Sequence, residues 1–241
     1  LNLDIAQEVF GGMTTVSLGF SRAADTVGKT GDPSFSDEAT HWQYRAGVTQ
    51  ILSPTWLMSA NFEAISDDGF LGGPYRVALV FGAAVPERNP RTRSSRAVQL
   101  RAIGDLGSRT AVRAQYRYFW DTWDIKAHTL EAGYSRYLGE SFLADGFIRY
   151  YTQGPALFYS DNATSETLYV SRNRQLSAFR STSVALRGSY TWPGLSAPYS
   201  MKLSLGYEFK RFAFDDFTDL RSGRAYSHNA HVLQATVSAT F

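Results

Sequence analysis

From Leu233 to the last residue every second position is apolar: Leu233, Ala235, Val237, Ala239 and Phe241 alternate with Gln234, Thr236, Ser238 and Thr240. A period of two belongs to an extended strand with one greasy face and one wet face. The run from His231 to Phe241 has the length of a strand that crosses a bilayer at a tilt, roughly 9–11 residues. An edge strand of a soluble sandwich would alternate in the same way, so the rest of the chain must decide between the two.

With 241 residues the chain suffices for one barrel or one large soluble domain. It contains no stretch of about 18 apolar residues, so it encodes no transmembrane helix. Yet it is rich in aromatics, with 14 Tyr, 16 Phe and 5 Trp, while its mean hydropathy is −0.25. Membrane strands combine these properties, because half of each strand faces water. The net charge of +2, from 24 basic and 22 acidic residues, is too balanced for a nucleic-acid surface. Cysteine is absent, which is in keeping with an envelope location but is also common in cytosolic domains.

Alternating segments recur along the chain. Leu1, Leu3 and Ile5 open it; Val16, Leu18 and Phe20 follow, then Tyr44, Ala46 and Val48, then Met58, Ala60 and Phe62. Val112, Ala114, Tyr116, Tyr118 and Trp120 form the clearest set, and Met201, Leu203, Leu205, Tyr207 and Phe209 precede the terminal strand. About eleven strands result. Short connections are expected at Phe10–Gly12, Leu52–Thr55, Asp105–Thr110, Leu138–Ser141 and Trp192–Tyr199. Long polar ones are expected at Ala24–Thr40, Asp67–Arg96, Gly154–Gln175 and Asp215–Ser227, with Asp121–Lys126 intermediate. Short turns at one end and long loops at the other are the habit of outer-membrane barrels. The predicted fold is therefore all-β: one antiparallel transmembrane β-barrel over residues 1–241, located in a bacterial outer membrane. A C-terminal amphipathic strand ending on Phe resembles the terminal signature of such barrels.

If the last strand descends to the periplasm, the first, Leu1–Val9, also descends and starts outside the cell. An even-stranded barrel would then need at least one further strand before Leu1, giving 12 or more, with this chain the C-terminal part of a longer one. In this frame Trp56, Phe142, Tyr190, Trp192 and Phe241 fall at the inner rim. Trp42, Tyr118, Trp120, Tyr150 and Phe209 fall at the outer rim. Amphipathic rings prefer that depth.

The opposite parity is charged. Arg45, Glu63, Arg101, Arg113, Arg117 and Glu131 lie on it, as do Asp145, Arg149, Arg187, Lys202, Glu208 and Lys210. Each mid-depth Arg or Lys would cost about 2–4 kcal/mol against lipid, so this face must line the lumen. Its signs are nearly balanced, which predicts pairing along the wall. An open anion or cation pore would be lopsided.

Little here points to chemistry. His41, His128, His228 and His231 lie near outer strand ends without metal-ligand spacing, and neither a metal nor a cofactor is expected. The best rim-hydrolase candidate is His128 with Asp121 or Asp124, and no serine can be placed beside it. Loop acids, among them Asp67, Glu87, Asp161 and Asp216, could hold Ca²⁺ or bridge lipopolysaccharide, although solvated loop charge is the simpler reading.

Several motifs carry a resemblance. They are Asp68-Gly69-Phe70-Leu71-Gly72-Gly73-Pro74-Tyr75-Arg76, Pro86-Glu87-Arg88-Asn89-Pro90-Arg91-Thr92-Arg93, the stretch from Tyr116 through Trp120 and His128 to Glu131, and Arg149-Tyr150-Tyr151-Thr152-Gln153. From about Gly12 onward the chain resembles an uncharacterised family of bacterial outer-membrane barrels catalogued as a domain of unknown function. That family is often encoded beside a small lipoprotein, a thioredoxin-like protein and a flavin transferase. The resemblance implies a lipoprotein or periplasmic redox partner, beside the outer-membrane lipid and lipopolysaccharide that any such barrel meets. It carries over no catalytic residue. Gly69, Gly72 and Gly73 before Pro74 suit a tight turn, and Arg76, Arg88, Arg91 and Arg93 are placed to pair with loop acids. Three functions are compatible with these observations: a conduit or scaffold for an envelope partner, a passive porin, and a rim enzyme acting on lipid.

Overall fold

The computed structural model describes residues 1–193 and 200–240; Phe241 and all but the first two residues of the short connection expected at Trp192–Tyr199 lie outside the described residues. The strands are β1 (Asn2–Val9), β2 (Thr14–Lys29), β3 (Asp32–Ser53), β4 (Trp56–Gly69), β5 (Val77–Val80), β6 (Ala83–Pro86), β7 (Thr92–Gly107), β8 (Thr110–Asp121), β9 (Lys126–Leu138), β10 (Phe142–Gln153), β11 (Phe179–Pro193), β12 (Ser200–Asp219) and β13 (Arg224–Thr240). Eleven of them form one antiparallel sheet in which each strand pairs with the next, while β5 and β6 form a separate hairpin inside the connection from β4 to β7. Among the described residues no helix is long and apolar enough to cross a membrane.

The register aligns the apolar residues into a band. Ile5 faces Leu18, Leu18 faces Ala46, Ala46 faces Phe62, Phe62 faces Val98 and Val98 faces Tyr118. The band continues through Tyr116 opposite Leu130, Leu130 opposite Tyr150, Ile148 opposite Val184 and Val184 opposite Phe209. These side chains are not covered by protein: Leu18 is 60% exposed, Leu130 57% and Leu186 68%. A soluble sandwich would bury such a face against a second sheet. Here the two buried apolar clusters lie in the loops instead. A continuous apolar band on the outside of a sheet is what a bilayer requires.

The strand ends correct part of the expected loop pattern. The segment Ala24–Thr40 is not a loop but a hairpin, with β2 and β3 paired as far as Lys29 and Asp32. Likewise β12 and β13 run on into the expected loop at Asp215–Ser227, pairing again at Thr218 with Ala225 and Asp219 with Arg224 after a bulge that follows Ala213. Outside the membrane both faces of a ladder meet water, so alternation disappears from the sequence while backbone pairing persists. At the opposite end the turns are tight. Ser108 and Arg109, between β7 and β8, both have positive φ (50° and 60°), as a two-residue type I′ turn demands.

Candidate functional site: lumen wall and outer vestibule

The charged parity forms a wall of ion pairs. Arg45 donates to Asp4 at 2.8 Å, Arg117 to Glu63 at 3.2 Å, and Arg113 to Asp145 at 2.7 Å. Arg149 reaches Glu131 at 2.6 Å, and Lys210 sits 3.2 Å from Glu208. Small neighbours let these side chains lie flat. Asp4 and Arg45 lie across Gly19, and Arg113 lies across Gly133, where in each case a Cβ would collide with them. The pairs therefore run along the wall.

Pairing is not uniform. Arg101, Arg187 and Lys202 have no carboxylate within 4.0 Å among the described residues. Arg187 stands opposite Asp145 in the register, but that carboxylate is already held by Arg113 and by Ser135 Oγ. The expected pairing along the wall thus fails at Arg187, because the carboxylate opposite it is taken by two other donors.

The aromatic residues stand on the outward parity, at strand ends on the inner side and, for Trp42 and Phe209, at mid-strand on the outer side. Phe142 faces Tyr190 across β10 and β11, and Tyr190 packs edge-on against Trp192 with centroids 4.6 Å apart. At the other end Tyr118 stacks on Trp120 at 5.3 Å, and Trp42 contacts Phe20 at 5.8 Å. Trp56 lies beside Gly104, Tyr150 pairs with Leu130, and Phe209 packs on His231.

The outer mouth carries a folded cap made by residues 70–91 and 154–178. The two segments pair with each other: Val80 bridges Ala163, and Arg88 bridges Val170 through two backbone hydrogen bonds of 2.9 Å. Ala78, Val80, Ala163 and Val170 form one buried cluster. Trp123, Ile125, Ala156 and Leu176 form a second, which joins the cap to the β8–β9 turn. The cap is fastened to the wall at several strands. Gln153 Nε2 donates to the carbonyls of Gln175 and Ser177, and Tyr159 Oη to that of Asp216, while Trp123, in the second cluster, is itself anchored by its Nε1 donating to the Thr92 carbonyl. Burial pushes the Tyr159 phenol above its ordinary range.

The outer-loop motif falls at the roots and latches of this cap. At the end of β4, next to Asp68, Gly69 has φ +111°, and any Cβ there would strike the Glu38 carbonyl. The Tyr75 hydroxyl, after Pro74, accepts from the Thr30 amide at 2.5 Å and so ties the cap to the β2–β3 hairpin. Arg91, after Pro90, grips Asp37 with two bonds of 2.7 Å, which holds the Asp37 carboxyl down to about 2. Pro86 closes β6 opposite Val77. Arg93 binds Asp121, whose side chain is fully enclosed, while Arg88 reaches the Thr167 carbonyl and not an acid. Glu87 takes the Arg172 amide at 3.0 Å, and its burial raises the carboxyl pKa above the usual range.

The structure separates His128 from the acids proposed for it. His128 stands on the outward parity, 2.7 Å from Tyr116 Oη and packed on Tyr118, whereas Asp121 accepts from Arg93 and from the amides of Trp123 and Ile125. Sequence reasoning missed the β5–β6 hairpin and the place of Trp123. The hairpin is tied down by bridges to a segment some 80 residues away, and Trp123 packs on Ala156 and Leu176, contacts of which period-two patterning holds no trace.

The fold and wall define a membrane β-barrel protein. The model of the family described as "Protein of unknown function (DUF3570)" matches residues 1–208, and the chain belongs to that family. No curated protein matches it. Among solved structures it is similar to OmpT of Vibrio cholerae, an outer-membrane protein in trimer form, at 10% identity and a TM-score of 0.56. That alignment covers 99% of this chain and 64% of the other, so the chain spans less than two thirds of that relative. The NanC porin aligns at 11% identity over 100% of this chain and 98% of its own, with a TM-score of 0.39. The KdgM porin aligns at 9% identity over 88% and 95%, with a TM-score of 0.34.

Proposed function

We propose that this protein is a bacterial outer-membrane conduit whose lumen is narrowed at its outer mouth by a folded cap. The observation that carries the reading is the cap itself. Two loops share buried clusters and reach across from the β4–β7 side to β12, while the lumen ion pairs lie flat below them. A passive porin has no need of such a lid. Conduction through planar bilayers tests this. The intact protein should conduct weakly, and removal of the Trp123 ring should raise the current; an intact protein that conducts like an open pore would favour the passive-porin reading.

The second part of the proposal is an envelope partner, a lipoprotein or periplasmic redox protein, for which the conduit serves as sheath or scaffold. It rests on the family resemblance and on the balanced, self-paired wall. Co-purification from native membranes should retain that partner.

A further inference from the structure

Beneath the cap, between it and the wall, is a cavity of about 550 Å³, a size common for small-molecule sites. Its wall side comes from β3, β4, β8 and β10, through His41, Asp67, Arg117 and Tyr151. Its roof comes from both cap loops, through Arg76, Asn89 and Asn173. Three guanidinium groups border it, and they are not equivalent. Arg93 is held by Asp121 and Arg117 by Glu63, whereas Arg76 forms no ion pair among the described residues. Asn89 is the second unspent group. Its Nδ2 donates to the Leu71 carbonyl, but its Oδ1 is buried and accepts nothing. A buried amide oxygen without a donor costs about 1–3 kcal/mol unless something supplies one.

The sequence makes room for Arg76. Gly73 does not have the left-handed backbone that would by itself demand glycine, but the Arg76 side chain folds over it and a Cβ there would come within 3.1 Å of that chain. Asn89 lines the same cavity.

We propose that this cavity binds a small hydroxylated carboxylate, with the carboxylate on Arg76 and a hydroxyl donating to Asn89 Oδ1. A guanidinium grips a single carboxylate with two parallel bonds, whereas a doubly charged phosphate would bring a second negative charge beside Asp67. This inference rests on the conduit reading, since it names the solute class that the capped lumen would admit.

Calorimetric titration of the full protein in detergent micelles separates the alternatives. Gluconate should bind. Sorbitol, with the hydroxyls but no carboxylate, and butyrate, with the carboxylate but no hydroxyls, should each bind at least tenfold more weakly, as should inorganic phosphate. Arg76→Gln and Asn89→Leu should each weaken gluconate by about tenfold, with unchanged circular dichroism showing that the barrel is intact. Equal binding of gluconate and sorbitol, no binding of gluconate, or undiminished binding by both variants overturns the proposal. Bilayer conductance without any probe tests the conduit independently. Binding without conduction would sink the conduit and leave the site, and conduction without binding would do the reverse.

Discussion

The wall and the cap of this protein solve the same problem in opposite solvents. The wall turns its large apolar residues outward and keeps its charges inside, in pairs such as Arg113 with Asp145 and Arg149 with Glu131. The cap gathers apolar residues into two small buried clusters, although Leu157 and Leu168 remain exposed. Only the wall can stand in hydrocarbon, because its backbone groups are satisfied by neighbouring strands. Only the cap follows the ordinary rule of a water-soluble fold. The difference shows that the boundary between the two regions is a boundary between solvents.

The sharpest way to break this comparison is to remove the ring at the joint between the regions. Trp123 is 5% exposed, and Trp123→Ala should destabilise the cap by about 3–5 kcal/mol. Single-channel current should rise while the folded barrel keeps its heat-modifiable migration on gels; loss of the barrel together with the cap would show one cooperative unit. Next in size is a charge placed on each region. Leu186→Arg, at mid-strand on the outward face, should cost about 2–4 kcal/mol in urea titrations of vesicle-bound protein. Leu168→Arg, on a cap residue that is 74% exposed, should stay within about 0.5 kcal/mol. Equal costs would mean that water lies outside the sheet.

Smaller effects sharpen the picture within each region. Arg113→Ala should cost about 1–2 kcal/mol, below the 3–5 of a fully buried pair, because a quarter of each partner is open to lumen water. Arg187→Ala should cost less, as no carboxylate depends on it alone; the same urea titrations compare the two. The smallest effect is one of pH. Burial raises the pKa of Glu87, so the folded cap binds this proton more tightly than the unfolded chain does. Its penalty is complete above the raised value and disappears as pH falls through it toward the unfolded value. Hydrogen exchange in residues 154–178 should therefore slow on acidification after correction for the intrinsic rate, and Glu87→Gln should remove that dependence.

How much could be read in advance follows this division. The wall was legible because a membrane strand repeats one contrast at every step. Val112, Ala114, Tyr116 and Tyr118 declare their face without reference to any other part of the chain. The lumen arginines were legible for the same reason. What failed to show was which carboxylate each one holds: Arg187 lost Asp145 to Arg113, a contest settled by reach and by the space over Gly133. The hairpin extensions beyond the outer aromatic ring read as loops, because pairing in water leaves no alternation behind.

The sequence by itself determined an all-β chain of about eleven strands, its apolar band, its charged interior and the end at which its long connections lie. These follow from a local period imposed by one solvent on each face. Only the tertiary structure decided that two of those connections fold together, that Trp123 belongs to their core, and that Arg76 and Asn89 meet over a shared cavity. Such contacts join segments distant in sequence, and their energy comes from shape and hydrogen-bond geometry that no local period encodes.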